Sequence, residues 1–510
     1  MYRNILDLLE KQAKNIPDKL AFGDEYKDIT FEELVKKSKV VGAFLSDKIK
    51  ISEPVAFYMD KSVDAVCGMF GTVYAGGFYS FLDVKQPINR VQTVVDVLTP
   101  SVIFTTSALF EGAKQISGDN INIIVLDEIL QKDDISNEEE EVLQKIRSSF
   151  CDINPLYVNF TSGSTGIPKG VAVSHRSVIE FIECFVDIFG INQEDIIANQ
   201  APFDFDVSVK DIYSGLMTGA KVQLIPKAYF SKPTDLMDYL YDKKVTVLIW
   251  AVSAMCFVSI MKGFEYKLPE HIRLVMFSGE VLPIKHYKKW KQFLPEATFV
   301  NLYGPTEITC NCTYHILDRE YGDTDAIPIG KAFPNEKVFL LDDNDKLVEK
   351  TDELGELCVS GTSVALGYYK DAERSAQVFL QNPLNDKYQE IIYRTGDLAF
   401  YNQDGDLVYA SRKDHQIKHL GHRIELSEID VHVTACSGVT RACCQYDSEK
   451  QRLILFYTGT IDKKAILKEL RDTVPPFMIP NSVIQVEEMP MNKNGKIDRK
   501  ALMEEFYFNK

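Results

Sequence analysis

At 510 residues, with 45% apolar and 26% charged side chains, the chain is globular and too long for one ordinary domain. Its net charge of −17 repels a phosphate backbone and no basic cluster offsets it, which excludes nucleic-acid binding. No apolar stretch reaches the roughly 20 residues of a bilayer span, since the longest, 248–261, already holds Ser253 and Ser259. The N-terminal MYRNILDLLEKQ lacks a signal-peptide core, and the ten cysteines form no pair of C-x-x-C knuckles. The expectation is a cytoplasmic protein with reduced thiols, no zinc and no membrane insertion.

In chain order, the first 40 residues read as a helix, a short strand pair and a second helix. Thr30 and Glu33 form a capping box for the second helix. The runs VAFYM, FYSFL, SVIFTT and INIIVL then alternate with helix-length segments, the pattern of a largely parallel α/β sheet. The acidic segment 131–145 reads as a solvated surface connection. Strands resume with LYVNFTSG and continue through KVQLIP, VTVLIW, IRLVMFSG and ATFVNLYG. From about residue 326, short alternating segments such as GELCVSG and GDLVYAS predict a β-rich subdomain. A charged segment, 411–423, precedes about 90 residues with their own helix and strand pattern, read as a small α+β domain. The expected division is 1–412, an α/β core, and 413–510, a mobile cap.

The strongest local signal is Leu156 to Val171, where a β-propensity run feeds a loop rich in Gly, Ser and Thr. Gly163, Gly166 and Gly170 allow close backbone approach to a ligand. Thr161, Ser162, Ser164 and Thr165 supply hydroxyls and Lys169 a positive charge, together a phosphate cradle. Pro168 stands five residues after Gly163, so the loop is not the P-loop of kinases and GTPases.

TSGSTGIPKG resembles the phosphate loop of the adenylate-forming superfamily of adenylation domains, acyl-CoA synthetases and luciferases. Phe205-Asp206-Val-Ser208, Asn301-Leu-Tyr-Gly-Pro-Thr-Glu307, Gly355-Glu-Leu, Tyr393-Arg-Thr-Gly-Asp397, the charged crossover 412–423 and Asn494-Gly-Lys496-Ile-Asp-Arg follow in that family's order. FDFDVSVKDIYSGLMTGAKV, HLGHRIELSEID and PMNKNGKIDRKAL are similar to amino-acid adenylation domains of nonribosomal peptide synthesis, and especially to D-alanine:carrier-protein ligases. No carrier domain or attachment serine is visible, so the expected carrier is a separate phosphopantetheinylated protein.

The resemblance implies a two-step ligase reaction. ATP and a carboxylate give acyl-AMP, and a phosphopantetheine thiol then takes the acyl group. Lys496 is the implied adenylation lysine, bridging two anions as a point charge. Glu307 is the implied Mg²⁺ carboxylate and Thr306 a hydroxyl contact to the α-phosphate. ATP would be held by 161–166 and Lys169, with Asn301, Tyr303 and Gly304 near adenine, Asp397 on the ribose hydroxyls and Arg412 on ribose or phosphate. Asp414 stands at the implied hinge and Gly421 in the loop that approaches the thioester site. Ser411 replaces the glycine usual before the hinge.

Asp206 is the implied partner of an α-ammonium, beside the aromatic Phe205. The rest of the implied pocket is Val207, Lys210, Ile249, Met276, Ser278, Leu302, Cys310 and Asn311. Its apolar members leave little room, so a small amino acid is expected, with D-alanine and L-serine level. Lys210 either points inward, to pair with an acidic substrate or lock Asp206, or snorkels to solvent. Two other readings remain open: an acyl-CoA synthetase of the same superfamily, and a non-catalytic amino-acid or nucleotide sensor.

Overall fold

Asn4 and Thr30 start the helices Ile5–Asn15 and Phe31–Leu45 with capping boxes, so the N-terminal order is as the sequence predicts. The computed structural model describes residues 2–508 apart from 119, 164–165, 323–324, 414–415 and 492–496. The chain is mixed α/β with parallel sheets and a strand-rich part, the fold class expected.

Among the described residues, one sheet has nine strands. Its middle runs Thr298–Tyr303, Leu274–Ser278, Val247–Ala251, Ile196–Asn199 and Lys221–Leu224, each parallel to its neighbour. These strands are buried on both faces, which explains their unbroken apolar runs. Trp250 is fully buried between them and donates its indole N–H to Ala198 O at 3.0 Å. Truncating such a ring to Ala costs about 3–5 kcal/mol.

A second sheet, of seven strands, carries Phe78–Phe81, Pro54–Tyr58 and Val102–Thr105 in parallel. Phe57 and Phe81 stack inside it at 4.7 Å. At its other side Pro155–Thr161 pairs antiparallel with Lys169–Ser174, and Thr161 faces Lys169 in register. The phosphate-cradle segment is therefore the loop of a hairpin. A third sheet holds Glu336–Leu341, Gly355–Gly361 and Ile391–Tyr401 in antiparallel order, the strand-rich part read from turn spacing.

Residues 416–508 contain a two-stranded hairpin, Gln416–His419 with His422–Glu425, and a three-stranded sheet of Val439–Asp447, Arg452–Gly459 and Ser482–Gln485. The helices Leu426–Ala435 and Lys463–Thr473 share a core with it through Ile429, Val433, Leu455, Ile466 and Leu470. No described helix is long and apolar enough to cross a membrane.

The acidic segment departs from the reading as a plain connection. Ser136 caps a helix, Asn137–Ser148, with Glu139 completing a capping box. Three glutamates in its first turn favour the positive helix end. Leu143 is buried, joining the core that also holds Leu45 and Tyr74.

Candidate functional site

The parallel strands of the nine-stranded sheet end on one edge, where ligands of open α/β sheets bind. Ile249, Met276, Ser278 and Leu302 stand near those ends, with Ile249 and Met276 in register on neighbouring strands. Asp206 starts the helix Val207–Thr218, which brings Val207 and Lys210 to the same edge. Cys310 closes the group by donating its thiol to Asp206 O at 2.8 Å. Lys210 donates to Asn311 Oδ1 at 2.6 Å, so it points inward and is fully buried. Gly304 runs against residues 310–312, and a Cβ there would lie 2.5 Å from Asn311 Cα.

Asp206 is 7% exposed, and burial raises its carboxyl above the ordinary value although Thr306 and Lys210 pull it down. Thr306 thus sits against Asp206, and its neighbour Glu307 is fully buried among cations. Arg423 Nη1 reaches both Glu307 oxygens, at 2.8 and 3.1 Å. The Tyr368 hydroxyl donates to Oε1 at 2.8 Å and Lys169 Nζ lies 3.3 Å away. Burial alone would raise the Glu307 carboxyl, but Arg423, Lys169 and Tyr368 hold it well below the carboxylate range. Burial, with Arg423 adding repulsion, lowers Lys169 to about 8.

The cradle hairpin is covered from the C-terminal part. Ser162 Oγ donates to Arg423 O at 2.7 Å and accepts the Glu425 N–H at 3.3 Å. The Gly163 N–H bonds the Glu428 carboxylate. Thr161 Oγ1 is buried without a partner. Gly166 faces His432 and Val431, while Ser164 and Thr165 lie outside the described residues.

Asp397 is 2% exposed and lies between two expected neighbours. Arg412 donates to Oδ1 at 2.6 Å and the Tyr303 hydroxyl donates to Oδ2. Asn301 instead ties its strand to Pro328 O at 2.8 Å. Lys418 Nζ stands 5.4 Å from the Tyr303 ring centroid.

The charged crossover continues into the hairpin 416–425, whose tip, at Gly421, enters the site. Leu420 and Gly421 form a two-residue loop with φ of 54° and 82°, a pattern that glycine accommodates at the second place. The Gly421 N–H donates to Glu280 Oε1 at 2.7 Å. His422 lies 6.1 Å from the Phe205 ring. Arg423, Lys418, Tyr368 and Glu280 are the residues sequence reasoning missed. The alternation Q-I-K-H then H-R-I-E about L-G marks the hairpin, but nothing local marks Tyr368 or Glu280.

Lys496 and Asp414 lie outside the described residues. Flanking the first, Met491 pairs with Ile497, and Ile497 packs with Cys443 and Phe456. A separate cleft of about 400 Å³, open solvent included, is lined by Phe81, Asp83, Arg90, Phe160, Pro168 and Asp204. It opens beside the cradle hairpin and does not include Asp206.

Residues 9–369 match the family model described as AMP-binding enzyme. The chain is 31% identical to zwittermicin A synthase ZmaJ of Bacillus cereus, over 98% of this chain and 94% of that protein. It is 31% identical to a D-alanine–D-alanyl carrier protein ligase of Bacillus cytotoxicus, over 98% and 99%. It spans under half the length of other peptide synthases that it matches. The Vibrio cholerae adenylation domain AlmE, solved in complex with glycyl-adenosine-5′-phosphate, superposes with a TM-score of 0.84 at 20% identity, covering 99% of this chain and 98% of that one. This chain belongs to the AMP-binding enzyme family, the adenylate-forming group its ordered motifs resemble.

Proposed function

We propose that the protein activates a small amino acid with ATP as aminoacyl-AMP and passes the acyl group to the phosphopantetheine thiol of a separate carrier protein. The observation that carries this reading is the meeting of Asp206, Thr306 and Glu307, at the edge of the nine-stranded sheet, with Lys169 of the seven-stranded sheet beneath the hairpin 416–425. A D-alanyl carrier protein ligase and a glycyl-adenylate complex among the relatives support a small amino acid and a carrier partner. Ten free thiols support a reducing, cytoplasmic setting.

In this reading Asp206 holds the α-ammonium. The orphaned Thr161 hydroxyl and Lys169 suit phosphate oxygens, and Asp397, now shared by Tyr303 and Arg412, suits a ribose diol. Lys169 and Lys496 offset the repulsion between carboxylate and phosphate. Mg²⁺ would be held by Glu307, and the fit depends on the hairpin. Arg423 fills both Glu307 oxygens, so the carboxylate suits a divalent cation only once Arg423 has withdrawn. Bound there, such a cation neutralises phosphate charge.

The chain would divide after Arg412, with Asp414 as hinge, so that 413–510 rotates between the two steps. The arrangement described, with the Gly421 tip at Glu280 and Arg423 on Glu307, is the one we assign to thioester formation.

The test is amino-acid-dependent ATP–pyrophosphate exchange, followed by loading of phosphopantetheinylated carrier protein against a CoA control. Lys496→Ala is expected to lower exchange at least 100-fold with the melting temperature unchanged. Exchange near wild type in that variant removes the adenylation assignment. Faster thioester formation with CoA than with carrier favours the acyl-CoA synthetase reading.

A further inference from the structure

Asp206 and Lys210 lie four residues apart at the start of the helix Val207–Thr218, so they share one face. Lys210 is 0% exposed. An ammonium has three donors. Among the described residues Lys210 uses one, toward the neutral Asn311 amide oxygen, and the carboxylates of Asp206 and Asp211 act on it only from beyond ion-pair distance. The helix N-terminus adds its own positive end, which makes a buried cation in this first turn doubly unfavourable. Such a charge is stable where an anion completes it.

A second polar group lies within electrostatic reach of Asp206 and Cys310. The Tyr157 hydroxyl is fully buried without a hydrogen-bond partner. Ile249, Met276 and Leu302, at most 2% exposed, wall the same edge with apolar bulk. The helix face thus presents an anion for an ammonium and, one turn on, a cation for a carboxylate, so the spacing of one helical turn suits a short side chain.

Resting on the aminoacyl-adenylate reading, we infer that Lys210 is a specificity-determining residue that selects a short amino acid with a side-chain carboxylate, of aspartate size. Alanine and serine offer Lys210 no anion, and a buried donor left unmatched discriminates strongly.

The test is ATP–pyrophosphate exchange by the full chain with both enantiomers of aspartate, asparagine, alanine and serine, for wild type, Lys210→Met and Lys210→Gln. Wild type is expected to prefer one aspartate enantiomer over alanine and serine by about 100-fold in kcat/KM. Both variants are expected to lose that preference mainly through KM, and to use asparagine at least as well as aspartate. Wild-type exchange led by an uncharged amino acid overturns the role of Lys210 and leaves the adenylation reading standing. Exchange with no amino acid sinks both. Should Lys210→Met fail to fold, Lys210→Gln and the wild-type preference still decide.

Discussion

Asp211, beside Lys210, is fully buried, with Oδ2 bonded to Asn199 at 2.7 Å and Oδ1 without a partner. Burial raises its carboxyl to about 7. An unfolded chain loses that proton near 3.8, so between there and 7 the folded state binds more protons and stability falls as pH rises. Asp211→Asn is expected to remove a decline of about 2–4 kcal/mol between pH 4 and 7, read as urea midpoints at both ends. Asp397 is instead fully partnered, since Arg412 and Tyr303 both donate to it. Asp397→Ala strips them of the carboxylate they share. It is expected to destabilise by about 1–3 kcal/mol and to raise KM for ATP at least tenfold, measured by chemical denaturation and exchange kinetics.

The hairpin 416–425 couples local backbone geometry to the site. Its strands pair from Gln416↔Glu425 to His419↔His422, which fixes a two-residue loop and places Gly421 at φ 82°. A Cβ there would meet Ala251 and Ser253 at 3.6 Å, an ordinary contact, so the penalty of substitution is conformational. Gly421→Val is expected to strain the turn by about 1–2 kcal/mol. Carrier loading is expected to slow at least tenfold and exchange to change less than twofold, if the tip serves the second step. Equal losses in both assays contradict that assignment. The cradle hairpin shows the same economy of means: Thr161 and Lys169 are fixed opposite one another by strand pairing, and a loop joins them.

Residues 416–508 meet the rest of the chain at several polar contacts, two of them buried ion pairs. Arg423 meets Glu307, Arg90 meets Glu428, and Gly421 meets Glu280. Removing one partner of a buried pair costs about 3–5 kcal/mol because the other charge is stranded. Arg90→Ala and Arg423→Ala together are expected to open the molecule. A larger radius of gyration by small-angle scattering and faster cleavage between 412 and 416 check this. An unchanged radius means that apolar contacts hold the cap.

The strand runs, the cap at Thr30 and the ordered motifs were legible because each rests on local spacing or on a short contiguous pattern. The acidic helix was missed because one buried leucine, Leu143, is too weak a signal among nine polar neighbours, with Val142 exposed and Ile146 only half-buried. The inward direction of Lys210 was undecidable, since a lysine on an amphipathic helix can face either way until the 309–311 turn supplies Asn311. Nor does any local pattern pair Arg423 with Glu307, 116 residues apart, or set Tyr368 beside them. Those charges meet because two separately packed cores present them to one edge. Long-range electrostatics in a buried site depends on that packing, which no stretch of sequence encodes alone.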